Sequence, residues 1–375
     1  MIKKIGTILL CMLLFASSLV IVFPVKAIKV DGNTLYVGGD GPGNYTTIQD
    51  AINNASNGDT IFVYNGTYYL NIHLNKSIKL IGENKNNTII DGKNKTCIYL
   101  HHDDITISRF TFINYKANNV EIIGEPCSNC LIYDCIFYSG IFFWGGDYII
   151  ISNNIFYSKY GYGMDISDNF YGEISFNTII GTNESIGIWL EGYNYKNYNN
   201  VVKNNNIKYS KVGILIENSE YDNVFNNLIS NSDQGIRLCF NSNSTIESNQ
   251  LLENRIGISL YSSNNIVITK NIVTNCTEDA IWIFNSTQNQ VLLNKIINSK
   301  RFGILIDTGS HNKVNKNTLI DNEYDAYFYA CRNTWYNNYW NKPRFLPKII
   351  FGNRGYSKPG IQLDWHPAKE PFDIS

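Results

Sequence analysis

A repeat of about 23 residues runs from residue 70 to residue 340, and no other feature constrains this chain as strongly. Each period carries an apolar-x-apolar unit: Ile72/Leu74, Ile98/Leu100, Val120/Ile122, Ile141/Phe143, Met164/Ile166 and Ile188/Leu190. The series continues with Ile214/Ile216, Ile236/Leu238, Ile258/Leu260, Ile281/Ile283, Ile304/Ile306 and Tyr327/Tyr329. Successive starts differ by 26, 22, 21, 23, 24, 26, 22, 22, 23, 23 and 23 residues. A second unit, apolar-x-x-Asn-x-apolar, also occurs once per period, as in Ile174/Asn177/Ile179, Val224/Asn227/Ile229 and Ile268/Asn271/Val273. Earlier copies put Phe110 and Asp134 at the Asn position, and the last puts Asn337 there.

Alternation with a period of two marks a strand with one buried face. A period near 23 is too short for βαβ units, which need about 30 residues. It fits one coil of a parallel β-helix, whose strands stack at about 4.8 Å, so twelve coils would be roughly 55 Å long. Ile at matching positions stacks inward. Asn at a corner tolerates left-handed backbone, and its amide reaches the Asn one coil away. Composition agrees: 54 Asn and 54 Ile, with 44% hydrophobic residues, which excludes global disorder. With 31 basic against 32 acidic side chains the net charge is −1, which excludes the basic excess of a nucleic-acid binder.

The flanks differ from the repeats. Residues 1–27 read as a signal peptide: Lys3 and Lys4, an apolar run from Ile5 to Val22, then Val25-Lys26-Ala27 before the cleavage point. An uncleaved anchor is the alternative, and it would be the chain's only membrane contact. Residues 28–70 hold an N-terminal cap and the first strands, with a short helix over Thr46–Ile52; 71–340 are the coils; 341–375 read as an irregular C-terminal cap. Export makes the seven mature cysteines candidates for disulfides, with local bonding among Cys127, Cys130 and Cys135 preferred over half of a zinc site.

The segments Thr47-Ile48-Gln49-Asp50-Ala51-Ile52, Gly58-Asp59-Thr60-Ile61-Phe62-Val63 and Gly66-Thr67-Tyr68 resemble the opening of pectin-lyase-like right-handed β-helices. The Asn-rich coils are similar to NosD-type repeats, also called carbohydrate-binding and sugar-hydrolase repeats. Asn333-Thr334-Trp335 through Asn338-Tyr339-Trp340 resembles the closing segment of archaeal cell-surface β-helix proteins. The resemblance implies an all-β, right-handed parallel β-helix of about twelve coils. It carries over no mechanism: of the polygalacturonase marks only Asp103-Asp104 is found, and Tyr160-Gly161 has no Asp-Pro-His to accompany it.

The repeat register itself points to a site. The middle residue of each apolar-x-apolar unit must face outward, giving the column His73, Tyr99, Glu121, Phe142, Asp165, Trp189, Leu215, Arg237, Ser259, Trp282, Leu305 and Tyr327. A neighbouring column holds His101, Trp144, Glu191, Glu217, Tyr261, Phe284 and Asp307. Aromatic rings beside carboxylates suit stacking on sugars with hydrogen bonds to hydroxyls. Tyr99, Glu121, Phe142, Trp189, Arg237, Tyr261 and Trp282 are therefore the candidate substrate-binding residues. Glu191 and Glu217, about 5 Å apart on adjacent coils, and Asp165, diagonal to Glu191, are the candidate acid–base residues. The alternative is that residues 341–375 fold over this face and bury the rings.

His101-His102-Asp103-Asp104 reads as a hydrated turn, because adjacent extended residues point apart. The copper role that the NosD resemblance implies lacks a His/Met array, since Met164 is the one Met after residue 27. No metal site and no cofactor is specified by the residues. The expected protein is an exported monomer whose partner is a polysaccharide, a lyase or glycoside hydrolase if it is an enzyme. A non-catalytic cell-surface scaffold and a NosD-like accessory for metal-site maturation are the alternatives.

Overall fold

The computed structural model describes residues 32–69, 71–113, 120–122, 126–355 and 358–374, with only the backbone at 120–122. The signal-peptide expectation for residues 1–27 lies outside the described residues. From Gly32 onward the chain forms one unit, a parallel β-solenoid with three strands per coil. One face runs from Ile72–Leu74 through twelve coils to Tyr324–Tyr329. A second starts at Thr34–Val37 and ends at Thr334–Tyr336; the third comprises 13 strands, from Gly66–Tyr68 to Tyr339–Trp340.

The register follows the sequence repeat. Ile188 pairs with Ile214, Trp189 with Leu215, Leu190 with Ile216 and Glu191 with Glu217. Inward Ile, Leu, Val and Phe form one continuous core, in which Phe112, Phe137 and Phe156 stack at 4.8 Å. The glycine before many units is a packing requirement. A Cβ on Gly187 would stand 2.5 Å from the Gly213 carbonyl oxygen and 2.8 Å from Ile207 Cγ2, so the next coil could not close onto it.

The repeated Asn forms a ladder. Asn154, Asn177, Asn205, Asn227, Asn249, Asn271, Asn294, Asn317 and Asn338 are buried, and each side-chain Nδ2 donates to the next rung's Oδ1 at 3.0 or 3.1 Å until Asn338 donates to Asp364. Left-handed backbone belongs to the preceding residue, as at Asn153, Phe176, Asn204, Asn226 and Leu293. The two roles expected of one Asn are thus split between neighbours. That split moves two assignments by one residue: Cys135, not Asp134, and Asn338, not Asn337, hold the ladder position. In the last coil Ala326 and Phe328 pair with Ile304 and Ile306, so Tyr327 takes the place that the outward column gives it, and the inward unit is Ala326/Phe328 instead of Tyr327/Tyr329.

Both ends are closed. Helix Ile48–Asn54 is capped by Thr47, whose Oγ1 accepts from Asp50 N at 3.1 Å, and it lays Ile48, Ala51 and Ile52 over the first coil. Lys76 Nζ donates to the carbonyls of Ile52, Asn53 and Ala55 at the helix C-terminus. The C-terminal cap is more regular than expected. Strands Lys348–Asn353 and Pro359–Asp364 form an antiparallel hairpin, which continues the stack by pairing Phe328 with Gly352 and Trp335 with Asp364. Of the three clustered cysteines, Cys127 and Cys130 bring their sulfurs within 2.7 Å as buried thiols, whereas Cys135 sits in the ladder.

Two substitutions separate core from ladder. Ile258→Asp, at a fully buried position, should leave no cooperative thermal transition, since it buries an unpaired charge. Asn249→Ala orphans the Asn227 amide donors and the Val224 carbonyl and should cost about 2–4 kcal/mol, read from denaturant unfolding.

Candidate functional site

The outward column appears on the first face in the order the repeat dictates, from His73–Tyr99 through Asp165–Trp189 to Trp282–Leu305. The described residues of the C-terminal segment lie against the last coil, so the cover over Trp189 and Trp282 comes from neighbours on their own face. Both rings are half-buried.

The column is not one site. Its centre draws together Tyr162, Asp165, Trp189, Glu191 and Glu217. Trp189 Nε1 donates to Glu217 Oε2 at 3.0 Å, and the Trp189 ring lies 5.4 Å from that of Tyr162. Behind it, Val212, Leu215 and Cys239 form a small apolar cluster with Ile186. Asp165 is only 4% exposed. Burial first, and the charge of Glu191 second, push its carboxyl up to about 7, while the Ser167 hydroxyl at 3.4 Å works the other way. Burial, then Glu217 and Asp168, raise Glu191; burial, Asp165 and Glu191 raise the Tyr162 phenol. Three carboxyls and two aromatic rings thus share one patch, with a buried acid that is part-protonated near neutrality.

The other candidates stand apart from this centre. Tyr99 is half-buried and stacks on His73 at 4.7 Å; Phe142 is half-buried one coil before Asp165. Glu121 is placed between Tyr99 and Phe142 by backbone register, and its side chain lies outside the described residues. Arg237 donates its Nε to Cys239 Sγ at 3.1 Å. Tyr261 stacks on Phe284 at 5.0 Å, and Trp282 Nε1 is buried without a hydrogen-bond partner.

Two neighbours of this centre were missed from sequence. Tyr162 lies before Gly163, outside the three-residue unit, and is reached because its strand extends over Gly161–Phe170. Asp168 accepts from the backbone N–H groups of Asn194 and Tyr195, pinning the loop that leaves Glu191 and presents Tyr193 and Tyr195, both 70% exposed. The only signal for it was the length of that coil.

At the N-terminal end, His73 Nδ1 and His101 Nε2 are 3.1 Å apart, with ring centroids at 5.4 Å and planes within 1°. The ring nitrogens therefore face each other across a hydrogen bond. Among the described residues no group of three or more His, Cys, Asp or Glu is placed to hold a metal ion.

The family model described as periplasmic copper-binding protein (NosD) matches residues 52–234 and 191–355. The chain belongs to the NosD family. No curated protein matches this NosD chain. Among solved structures, the A-module of the mannuronan C-5 epimerase AlgE6 of Azotobacter vinelandii is 14% identical with a TM-score of 0.50, covering 87% of this chain and 94% of that one. The DFA-IIIase of Arthrobacter chlorophenolicus A6, solved with GF2, is 10% identical with a TM-score of 0.56, over 82% and 94%. XylC in complex with xylose is 11% identical with a TM-score of 0.54, over 85% and 87%. At these identities the likeness is one of fold.

The Asp165 carboxyl gives a pH test of the site. Its folded value lies above the unfolded value of about 3.9, so the folded state holds the proton more tightly and stability falls as pH rises from about 4 to 7. Asp165→Asn should therefore be more stable than the parent at pH 8, on the order of 1–3 kcal/mol, and lose that advantage below pH 4. Melting temperatures across that range check it.

Proposed function

We propose that this NosD-family chain is an exported protein that binds polysaccharide along the first face, with the chain centred on Trp189. What supports this reading most is the meeting of Asp165, Glu191 and Glu217 with the rings of Trp189 and Tyr162 on one outward patch. Aromatic faces take the apolar side of a sugar ring, and the carboxyls take its hydroxyls. Asp165 is part-protonated near pH 7 beside the less buried Glu191 and Glu217, an arrangement suited to acid–base processing of a glycosidic or uronic unit. Tyr99 and Phe142 before this centre, and Arg237, Tyr261 and Trp282 after it, extend the track. Trp282 is four coils from Trp189, roughly 19 Å along the axis. Structures of the same fold that act on sugars or were solved with them support the substrate class. Export rests on the N-terminal 27 residues and on the periplasmic description of the family.

The family description also raises copper. The described residues do not fit it. An ion held linearly between His73 and His101 needs about 2 Å to each nitrogen, and 3.1 Å between them leaves room for a proton alone. Met164 is buried in the core, and the seven cysteines among the described residues are buried as well.

A glycan array followed by reducing-end and unsaturated-product assays tests the proposal. Trp189→Ala should weaken binding about tenfold or more. Glu191→Gln should abolish turnover while leaving the melting temperature within a few degrees. Absence of binding to any long glycan, or Trp189→Ala without effect on it, would refute the reading.

A further inference from the structure

The outer side of the C-terminal cap differs in chemistry from the rest of the surface. Pairing of Ile349 with Leu363 and Phe351 with Ile361 puts these four on one side of the hairpin, while Ile350 and Asp364 face the coils. Phe345 and Leu346, just before the hairpin, are 84% and 78% exposed, and Trp365, just after it, is 64% exposed. Trp365 lines two adjoining depressions of about 650 Å³ each. One is shared with Ile361, Leu363, Arg332 and Arg354, the other with Phe345 and Arg344. Elsewhere the large exposed apolar groups are mostly Tyr, whose hydroxyl suits water; here they are Phe, Leu, Ile and Trp. Such a patch marks a contact surface.

Charge says what kind of contact. Residues 341–375 carry six Lys or Arg against three Asp or Glu, whereas the rest of the chain carries 25 against 29. One of the three acids, Asp364, is buried as the end of the Asn ladder. Among the described residues the ion pairs leave Arg332, Arg344 and Arg354 without a carboxylate, and Arg344 Nε is buried with no hydrogen-bond partner.

We propose that this cap docks on an anionic lipid surface. Phe345, Leu346 and Trp365 enter the boundary between headgroups and acyl chains, and Arg332, Arg344 and Arg354 meet lipid phosphates. The coil stack then rises from the membrane, attached by its last turn. Two copies facing each other through this patch would oppose like charges. A glycan could stack on Phe345, Phe351 and Trp365 but would leave Leu346, Ile349 and Ile361, which offer no ring face, without a partner. The inference is independent of the glycan reading, which concerns a different face.

The test is vesicle co-sedimentation of the chain from residue 28 onward, which removes the apolar N-terminal run and retains the compact unit from Gly32. Vesicles of phosphatidylcholine alone are compared with phosphatidylcholine mixed with phosphatidylglycerol. Binding to the anionic vesicles at low salt should exceed binding to the neutral ones at least about tenfold. The double variants F345S/L346S and R332E/R354E should each reduce it about tenfold or more at unchanged melting temperature, since all four positions are exposed. Equal binding to both vesicle types, or none, would overturn the proposal. So would loss in the arginine variant alone, which would mean attraction without insertion. A dimer seen by sedimentation without vesicles and dissolved by F345S/L346S would make the patch an interface between copies instead.

Discussion

The hydrogen bond from one asparagine amide to the next is the contact on which the solenoid depends. From Asn154 to Asn338 each rung gives its backbone N–H and its Nδ2 to the Oδ1 of the rung above, and a further Nδ2 proton goes to a carbonyl of the coil below, as Asn249 does to Val224. A buried amide this fully satisfied tolerates neither a shifted coil nor a widened gap. Fixed spacing at one corner then holds every other column in register. It sets Gly187 under the Gly213 carbonyl and stacks the rings of Phe112, Phe137 and Phe156.

The same regularity creates the chemistry of the outer face. A parallel stack puts equivalent positions about 4.8 Å apart. Glu191 and Glu217 are therefore neighbours because they are one repeat apart in sequence, whatever their charges prefer. Trp189 relieves part of that repulsion by donating to Glu217. Glu191 carries the rest as a raised proton affinity on top of the effect of its burial. Asp165, one coil earlier, is raised first by being almost closed to solvent and only then by the charge of Glu191. Elsewhere buried carboxylates are fully engaged: Asp279 takes the Arg301 guanidinium, and Asp364 takes Asn338 and Trp340.

The fold and the outward column were legible because both depend on side-chain period alone. Trp189, Glu191 and Glu217 could be placed by counting. What counting missed were distinctions between adjacent residues and groups outside the repeat. Asp134 and Cys135, like Asn337 and Asn338, each offer two candidates for a corner, and only the backbone shows that the first turns left-handed while the second joins the ladder. Tyr162 and Asp168 belong to a strand longer than the repeat predicts. The cap hairpin has no period to read. Its place was set by a single acceptor, Asp364, offered to the last Asn rung.

Interior rungs of the ladder are interchangeable. Asn227, Asn249 and Asn271 each receive from the rung below and give to the one above through the same atoms, at spacings of 22 or 23 residues. A duplicated or deleted coil would find its donors and acceptors already matched, so the gene can lengthen or shorten by whole repeats without refitting either end. Each event would slide the centre at Asp165 and the cap by about 4.8 Å relative to one another when it falls between them. The chain thus has a ruler built into it, graduated in coils, which sets the distance between the Asp165 centre and the C-terminal cap.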